Sequence, residues 1–385
     1  MVSVEVEGGK LNISLPHAMV MSYEGSPTEV VFPTEIDGKA ITRINGNIFN
    51  GNNSLISVTI PEGYTEIGAN AFLGCTELTS ASIAGTVKEI GLNTFKGCTK
   101  LSEVTLGEGI KSIGKNAFYE CTALSEILLP EGMENIGDYG FYGCSSLTKA
   151  TLPESLTGIG DYAFYNCGKL SEITLPGSLA ALGSRAFYNC DSLTSITIPE
   201  GITILPDYLF ADCSSLTEVG LPNGLTVIGS YVFYYCQKLS AITLPESLTS
   251  IGTYAFYECD GLTSVTIPEG VTTIGTYTFG DCNGLTKVEL PSGLTKIDNY
   301  AYYYCTKLSE INLPESLTSI GTYAFYNCDG LKEIVIPEGI KVIQDYTFYD
   351  CDSLKKVTLP STFPERVIGN IIKVCILYVL RMIGI

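Results

Sequence analysis

Cysteine is the residue type whose spacing in this chain most invites a chemical reading. Thirteen cysteines, from Cys75 through Cys98 and Cys121 to Cys351, recur every 23 residues without exception. A file of thiols could pair as disulfides, hold a soft metal, or lie buried as small apolar groups with weak donors. If each repeat makes one rung of a stack, equivalent residues sit ~4.8 Å apart. That separation falls inside the Cα range for a disulfide, but equivalent side chains point in parallel and cannot readily take the torsion of about 90° that the bond requires. A thiolate cluster needs ligands converging around one point, not a straight file. Buried free thiols are therefore expected. Asn52, at the equivalent position ahead of the file, agrees with a role in packing or in satisfying turn carbonyls. Histidine occurs once, as His17. A Ser–His–Asp triad, a Cys–His pair within the repeats and histidine-based metal sites are all disfavoured, so neither an enzyme nor a cofactor is expected.

Glutamate, threonine and tyrosine follow the same period. Counting the leucine that opens each unit as position 0, as in LTSVTIPEGVTTIGTYTFGDCNG from Leu262 to Gly284, glutamate fills position 7 nine times, among them Glu154, Glu246 and Glu315. Calcium needs several oxygens around one centre, so this file reads as a solvated acidic edge. Threonine fills position 4 in eight of fourteen units, as in Thr197, Thr243 and Thr266. A flat ice-binding face is interrupted by charges at position 2 such as Glu103, Glu126, Lys149 and Lys287, and ordinary β-propensity accounts for the threonines. Tyrosine stands nine times at position 15 and nine times at position 18. The run Tyr208, Tyr231, Tyr254, Tyr277, Tyr300, Tyr323 and Tyr346 at position 15 is uninterrupted, whereas earlier units carry Asn70, Asn93, Asn116 and Arg185 there. Two readings stand side by side: partly buried rings stacking between repeats, or a binding surface for protein or glycan. The tyrosine run is the candidate surface. Its rival is the polar side of the first strand, represented by Glu310, Asn312 and Glu333.

These residues need elements to hold them. Thirteen complete units run from Leu55 to Ser353, with a partial one after Leu354. Apolar residues at positions 0, 3 and 5 predict a short strand with one buried face, and proline at position 6 in twelve of fourteen units marks its end. Apolar residues at 9 and 12, then glycine at 13 in ten of thirteen units, predict a second, shorter strand closed by a turn. A small residue at 16, Phe at 17 and Cys at 20, as in Ala324, Phe325 and Cys328, would share one face of a helical turn. Phe at 17 in twelve of thirteen units, with Tyr302 the exception, predicts a buried aromatic column. Units of this length and leucine spacing indicate leucine-rich repeats, a solenoid with a parallel β-sheet on its concave face and short strands or helical turns on the other side. One such unit cannot bury its own apolar face, so neighbours and end covers are required.

Residues 1–27 are expected to form an N-terminal cap, 28–363 the solenoid and 364–385 an irregular tail or cap. A longer first repeat contains the turn Ile36 to Lys39, with the strand-like LNISL (Leu11 to Leu15) and TEVVF (Thr28 to Phe32) ahead of it. Hydrophobic residues at 45% and charged ones at 16% give enough apolar surface for a core. With 22 basic and 41 acidic residues the net charge is −19, which argues against nucleic acid as a partner. No apolar run reaches the roughly eighteen residues of a membrane helix. Met1–Gly9 lacks the basic start and apolar run of a secretory signal.

The repeating unit resembles the BspA-like class of leucine-rich repeats, whose pattern LTSITIPEGITxIGxYAFYxC recurs from Ser54 to Leu359, with YEGSPTEVVFPTEIDGKAIT (Tyr23 to Thr42) resembling the first repeat of that family. The resemblance implies a surface or secreted protein of a host-associated organism, with a signal peptide removed ahead of this numbering, that adheres to host or microbial proteins or glycans without catalysis. It brings no catalytic residues. An intracellular scaffold on the same fold is the alternative, because one scaffold carries unrelated binding sites.

Overall fold

The computed structural model describes residues 1–361, so the expected tail at 364–385 and Cys375 lie outside the described residues. The chain divides into two compact units, Met1–Leu193 and the residues from Thr194 on.

The first unit opens with β1 (Val2–Val6), β2 (Gly9–Ser14) and β3 (Met19–Gly25), an antiparallel meander. β3 then pairs in parallel with Arg43–Ile44, which pairs in turn with Glu66–Ile67. LNISL thus contributes to a sheet that covers the first rung. TEVVF joins the repeats instead, because β4 (Glu29–Val31) lies parallel to Ser57–Ile60 with Val30 opposite Val58. Between them Glu35–Ile36 and Lys39–Ala40 form a hairpin. Asp37 and Gly38 supply its two positive-φ residues, the requirement of a turn whose twist matches its strands.

From there each repeat contributes two short parallel strands. Positions 2 to 5 pair rung on rung, as Ala81 does with Val58 on one side and Val104 on the other. Positions 11 and 12 form a second ladder, as in Ser112–Ile113 between Glu89–Ile90 and Asn135–Ile136. Every pairing joins residues one period apart, so the register of the whole ladder follows from the repeat length. The proline at position 6 accepts a turn bond through its carbonyl, as Pro268 does from the Val271 N–H at 3.0 Å, and the chain bends from the first strand towards the second. The second unit repeats the plan with Ser264–Thr266, Lys287–Glu289 and Glu310–Ile311 in one ladder and Thr273–Ile274, Lys296–Ile297 and Ser319–Ile320 in the other. Its first-strand ladder is interrupted at Ala241, which keeps only an isolated bridge to Glu218.

The core is built from one contribution per rung. Leucines at position 0, apolar residues at 9 and 12, the small residue at 16 and Phe at 17 are buried in nearly every repeat. The Phe rings stack face to face with centroids 5.2 to 5.7 Å apart from Phe49 to Phe187 in the first unit. In the second unit the same file runs from Phe210 to Phe348 through Tyr302. Burying one such side chain contributes about 1.5–3 kcal/mol, but only when a neighbouring rung supplies the other face, which is why the fold comes in stacks.

The third side of each repeat is not helical, and here the expectation of a helical turn is corrected. Every residue at position 15, and every one at position 19, has positive φ, for example Tyr254 at 57° and Glu258 at 56°. N–H groups at 15, 17 and 19 donate to the next rung, whereas those at 18 and 20 bond back three residues, as Tyr257 does to Tyr254 and Cys259 to Phe256. The backward bonds mimic a helix in side-chain spacing. The left-handed residues stop a helix from forming and turn alternate amides outward to build a third ladder.

Candidate functional site

The cysteines resolve first. All thirteen from Cys75 to Cys351 are buried, and none is joined in a disulfide. Within each unit the thiols donate to the backbone carbonyl of the position-17 residue one rung back, as Cys75 Sγ does to Phe49 O at 3.1 Å and Cys259 Sγ to Phe233 O at 3.2 Å. The expected service to turn carbonyls is what these thiols perform. Asn52 does the opposite, since its Oδ1 accepts from the Ser54 and Leu55 N–H groups while its Nδ2 donates to the Tyr23 hydroxyl. Burial pushes thiols in the middle of the file up, as at Cys121, Cys167 and Cys236, and Cys144 to about 12. His17 bonds Ser14 beside the cap's short 3-10 turn, far in sequence from every repeat.

The tyrosines form two columns. From Tyr208 to Tyr323 the position-15 rings are half-buried, and Tyr346 is exposed. Successive rings lie 4.4 to 4.9 Å apart and within 17° of parallel. The stack has a backbone cause, because the left-handed residue at 15 donates its N–H to the next rung, as Tyr254 does to Thr276 O at 3.1 Å, and so every ring leaves the chain in the same direction. Asparagine, which tolerates this conformation, builds the equivalent ladder in the first unit, where Asn70, Asn93 and Asn116 each donate to the amide oxygen one rung back. The rings therefore stack between repeats, as the first of the two readings expects, and stay half-exposed along the file.

A second column at position 18 runs beside the first. In the second unit it comprises Tyr234 and Tyr257, then Tyr303, Tyr326 and Tyr349, with Gly280 between. Its hydroxyls reach acidic residues at position 19. Tyr326 donates to Asp350 Oδ2 at 3.0 Å, and the Tyr257 hydroxyl lies close to Asp281. Burial pushes Tyr277 up to about 12. The Asp281 carboxyl is raised by burial, with the nearby Tyr257 hydroxyl opposing the shift. These acidic partners escaped the sequence reading because position 19 varies between Gly, Asn, Asp, Glu and Tyr; the shared property is backbone conformation, not chemistry.

The rival residues Glu310, Asn312 and Glu333 are exposed on the first-strand side. Shallow grooves on that side lie instead along the interrupted rung, lined by residues such as Glu218, Thr243, Glu246 and Thr266, and the three rivals line neither of them. Among the described residues no group of three or more His, Cys, Asp or Glu is arranged to hold a metal ion, and no helix is long and apolar enough to cross a membrane.

Parallel rungs of 23 residues, a buried Leu, Cys and Phe or Tyr in each and a repeated outer surface define a leucine-rich-repeat solenoid. The chain belongs to the family described as BspA type Leucine rich repeat region (6 copies), which matches residues 24–148, 134–262 and 249–370. Among solved structures it is similar to a leucine-rich repeat protein from Bacteroides ovatus, at 27% identity and TM-score 0.66 over 92% of this chain and 100% of that one. It is also similar in fold to a leucine rich cell surface protein from Faecalibacterium prausnitzii (22% identity, TM-score 0.52, 96% and 97% covered). A leucine-rich repeat protein from Eubacterium ventriosum shares the fold as well (24% identity, TM-score 0.53, 94% and 98% covered). No curated protein matches the chain.

Proposed function

We propose that this chain is a surface-exposed or secreted binding protein that adheres to host or microbial proteins or glycans through its tyrosine face, without catalysis. The observation that carries this reading is the run of seven stacked tyrosines from Tyr208 to Tyr346, whose rings are ordered before any partner arrives. Ordered rings lose little entropy on binding, and tyrosine offers an apolar face and a hydroxyl together. Every candidate group recurs many times, which suits recognition over an area better than reaction at one point.

The test is an array of host extracellular proteins, glycans and surface proteins of co-resident microbes, probed with purified protein. Replacing Tyr254, Tyr277 and Tyr300 with Ser should weaken binding ten-fold or more, a loss of about 1.4 kcal/mol. Matched changes at Glu310, Asn312 and Glu333 should do little. The reverse pattern would move recognition to the first-strand side, and indifference to both sets would reject a repeat-face interface. Labelling of intact cells with an impermeant reagent separates this reading from an intracellular scaffold.

A further inference from the structure

Threonine replaces the small apolar residue at position 16 in three rungs, as Thr94, Thr278 and Thr347, and all three are buried. The same three rungs lose their second ladder. At the other described rung boundaries within each unit, the N–H at position 10 donates to the position-10 carbonyl of the rung before, and the N–H at position 13 to its position-12 carbonyl. Thr295 does so to Thr272 O and Asp298 to Ile274 O, both at 2.9 Å. Among the described residues, Lys88 and Gly91, Thr272 and Gly275, and Lys341 and Gln344 make neither bond. A Cβ at Gly91 or Gly275 would stand 3.8 Å from the position-12 carbonyl oxygen of the rung before, against 3.0 Å at Gly114 and Gly137, where the ladder is closed.

The hydroxyl accounts for this gap, and bulk does not. Thr278 Oγ1 donates to Gly275 O at 2.9 Å and lies 3.4 Å from Gly252 O, the position-13 carbonyl of the rung before. Thr347 Oγ1 stands likewise, 2.8 Å from Gln344 O and 3.3 Å from Gly321 O, and Thr94 Oγ1 bonds Gly91 O at 2.9 Å. A hydroxyl has one proton, so the nearer carbonyl takes it and the farther one faces a lone pair. Val232 has the shape of threonine without the oxygen and is buried at the same position. Its rung keeps the ladder, with the Gly229 N–H donating to Leu205 O at 2.9 Å.

At Thr278 and Thr347 the first-strand ladder is open too, since Ser264–Thr266 and Glu333–Val335 pair only with the rung that follows. Across the boundary at Gly261 the backbone bonds among the described residues are therefore those of the third side: Tyr254 to Thr276 O, Phe256 to Thr278 O and Glu258 to Gly280 O. A groove of about 330 Å³ lies on the first-strand side of this opening, with Thr243 and Glu246 on one rung and Thr266 and Glu269 on the next. Tyr254 and Tyr277 stay stacked across it at 4.7 Å.

We infer that threonine at position 16 is a joint written into the repeat: its hydroxyl unlatches the second ladder from the rung before, and the stack opens there with the third side as its hinge. At Thr278 the joint widens the first-strand groove while the tyrosine file remains continuous. The inference rests on the ladder geometry and is independent of what either face binds.

Hydrogen exchange on the full chain, read residue by residue by mass spectrometry with electron-transfer fragmentation, tests it. Amides released from a ladder exchange by local opening without unfolding, so Thr272 and Gly275 should exchange about ten-fold or more faster than Thr295 and Asp298. Thr278→Val should slow them by a similar factor. Val232→Thr should install a new joint, speeding exchange at Thr226 and Gly229 about ten-fold or more while Phe233 on the third side changes less than two-fold. Unchanged circular dichroism confirms that each variant is folded, and if Val232→Thr does not fold, Thr278→Val decides alone. Equal protection of the two pairs in the unaltered chain, no slowing in Thr278→Val, or protection kept at Thr226 and Gly229 in folded Val232→Thr overturns the inference.

Discussion

Tyr302 is the one tyrosine in the Phe file, stacked 5.6 Å from Phe279 and 5.3 Å from Phe325, and its buried hydroxyl has no hydrogen-bond partner. Removing that oxygen removes an uncompensated desolvation cost and leaves the ring in place, so Tyr302→Phe should stabilise the protein by about 1 kcal/mol. A denaturation midpoint that falls in the variant would show that the hydroxyl has a partner. The exception at position 17 was visible in the sequence, but its burial without a partner was not, because that depends on what the next rung places around the oxygen. Backbone sign was legible only in part. Asn70, Asn93 and Asn116 at position 15, and Gly74, Gly97 and Gly143 at position 19, are residue types that accept positive φ. Tyrosine at position 15 in later units hides the signal, because a bulky residue rarely adopts that conformation.

At the scale of the element, the two strands of each repeat could be read from alternation and proline, and both lie where the apolar residues require. The third side misled because Ala, Phe and Cys at 16, 17 and 20 have the offsets of a helix face, and bonds from N–H to the carbonyl three residues back reproduce that spacing without a helix. The interruption at Ala241 had no signature in a sequence whose neighbouring rungs read alike. The thiol column carries the prediction at this scale. Native protein should react slowly with a thiol reagent, and unfolding should release the thirteen buried groups together. Because burial in the folded state raises the pKa of interior thiols such as Cys121, Cys144, Cys167 and Cys236, it favours the neutral form. The associated stability is complete below the ordinary value near 9 and is lost as pH rises towards the value of about 12 reached by Cys144. Tyr277, raised by burial to about 12, acts in the same direction. Urea midpoints measured from pH 7 to 11 should therefore fall on the alkaline side; midpoints that rise there would contradict the burial argument.

For the whole molecule the governing quantity is the period. Each rung bonds to residues one repeat away, so excising Leu262–Gly284 joins Gly261 to Leu285 without a change of phase. The shortened chain should fold, with a smaller denaturant m-value in keeping with its smaller buried surface. Removing only Leu262–Thr272 breaks the phase and should leave a chain that fails to fold cooperatively; cooperative unfolding of that variant would show that register is not what holds the stack. The sequence made the solenoid legible at this scale because the period is long, unbroken and sufficient to set every pairing. Its surface was less legible, since the packing of Tyr257 and Tyr277 against Gly280 depends on an absent side chain. The stacked tyrosines have one further consequence. The chain contains 24 tyrosines and no tryptophan, and rings less than 5 Å apart along the position-15 file exchange excitation faster than they emit. Because the rings are nearly parallel, light absorbed at any rung is shared along the file with its polarisation kept. The protein thus carries an optical antenna along this file, and a ligand that wedges two rings apart or tilts one would announce itself as a change in tyrosine emission without any added dye.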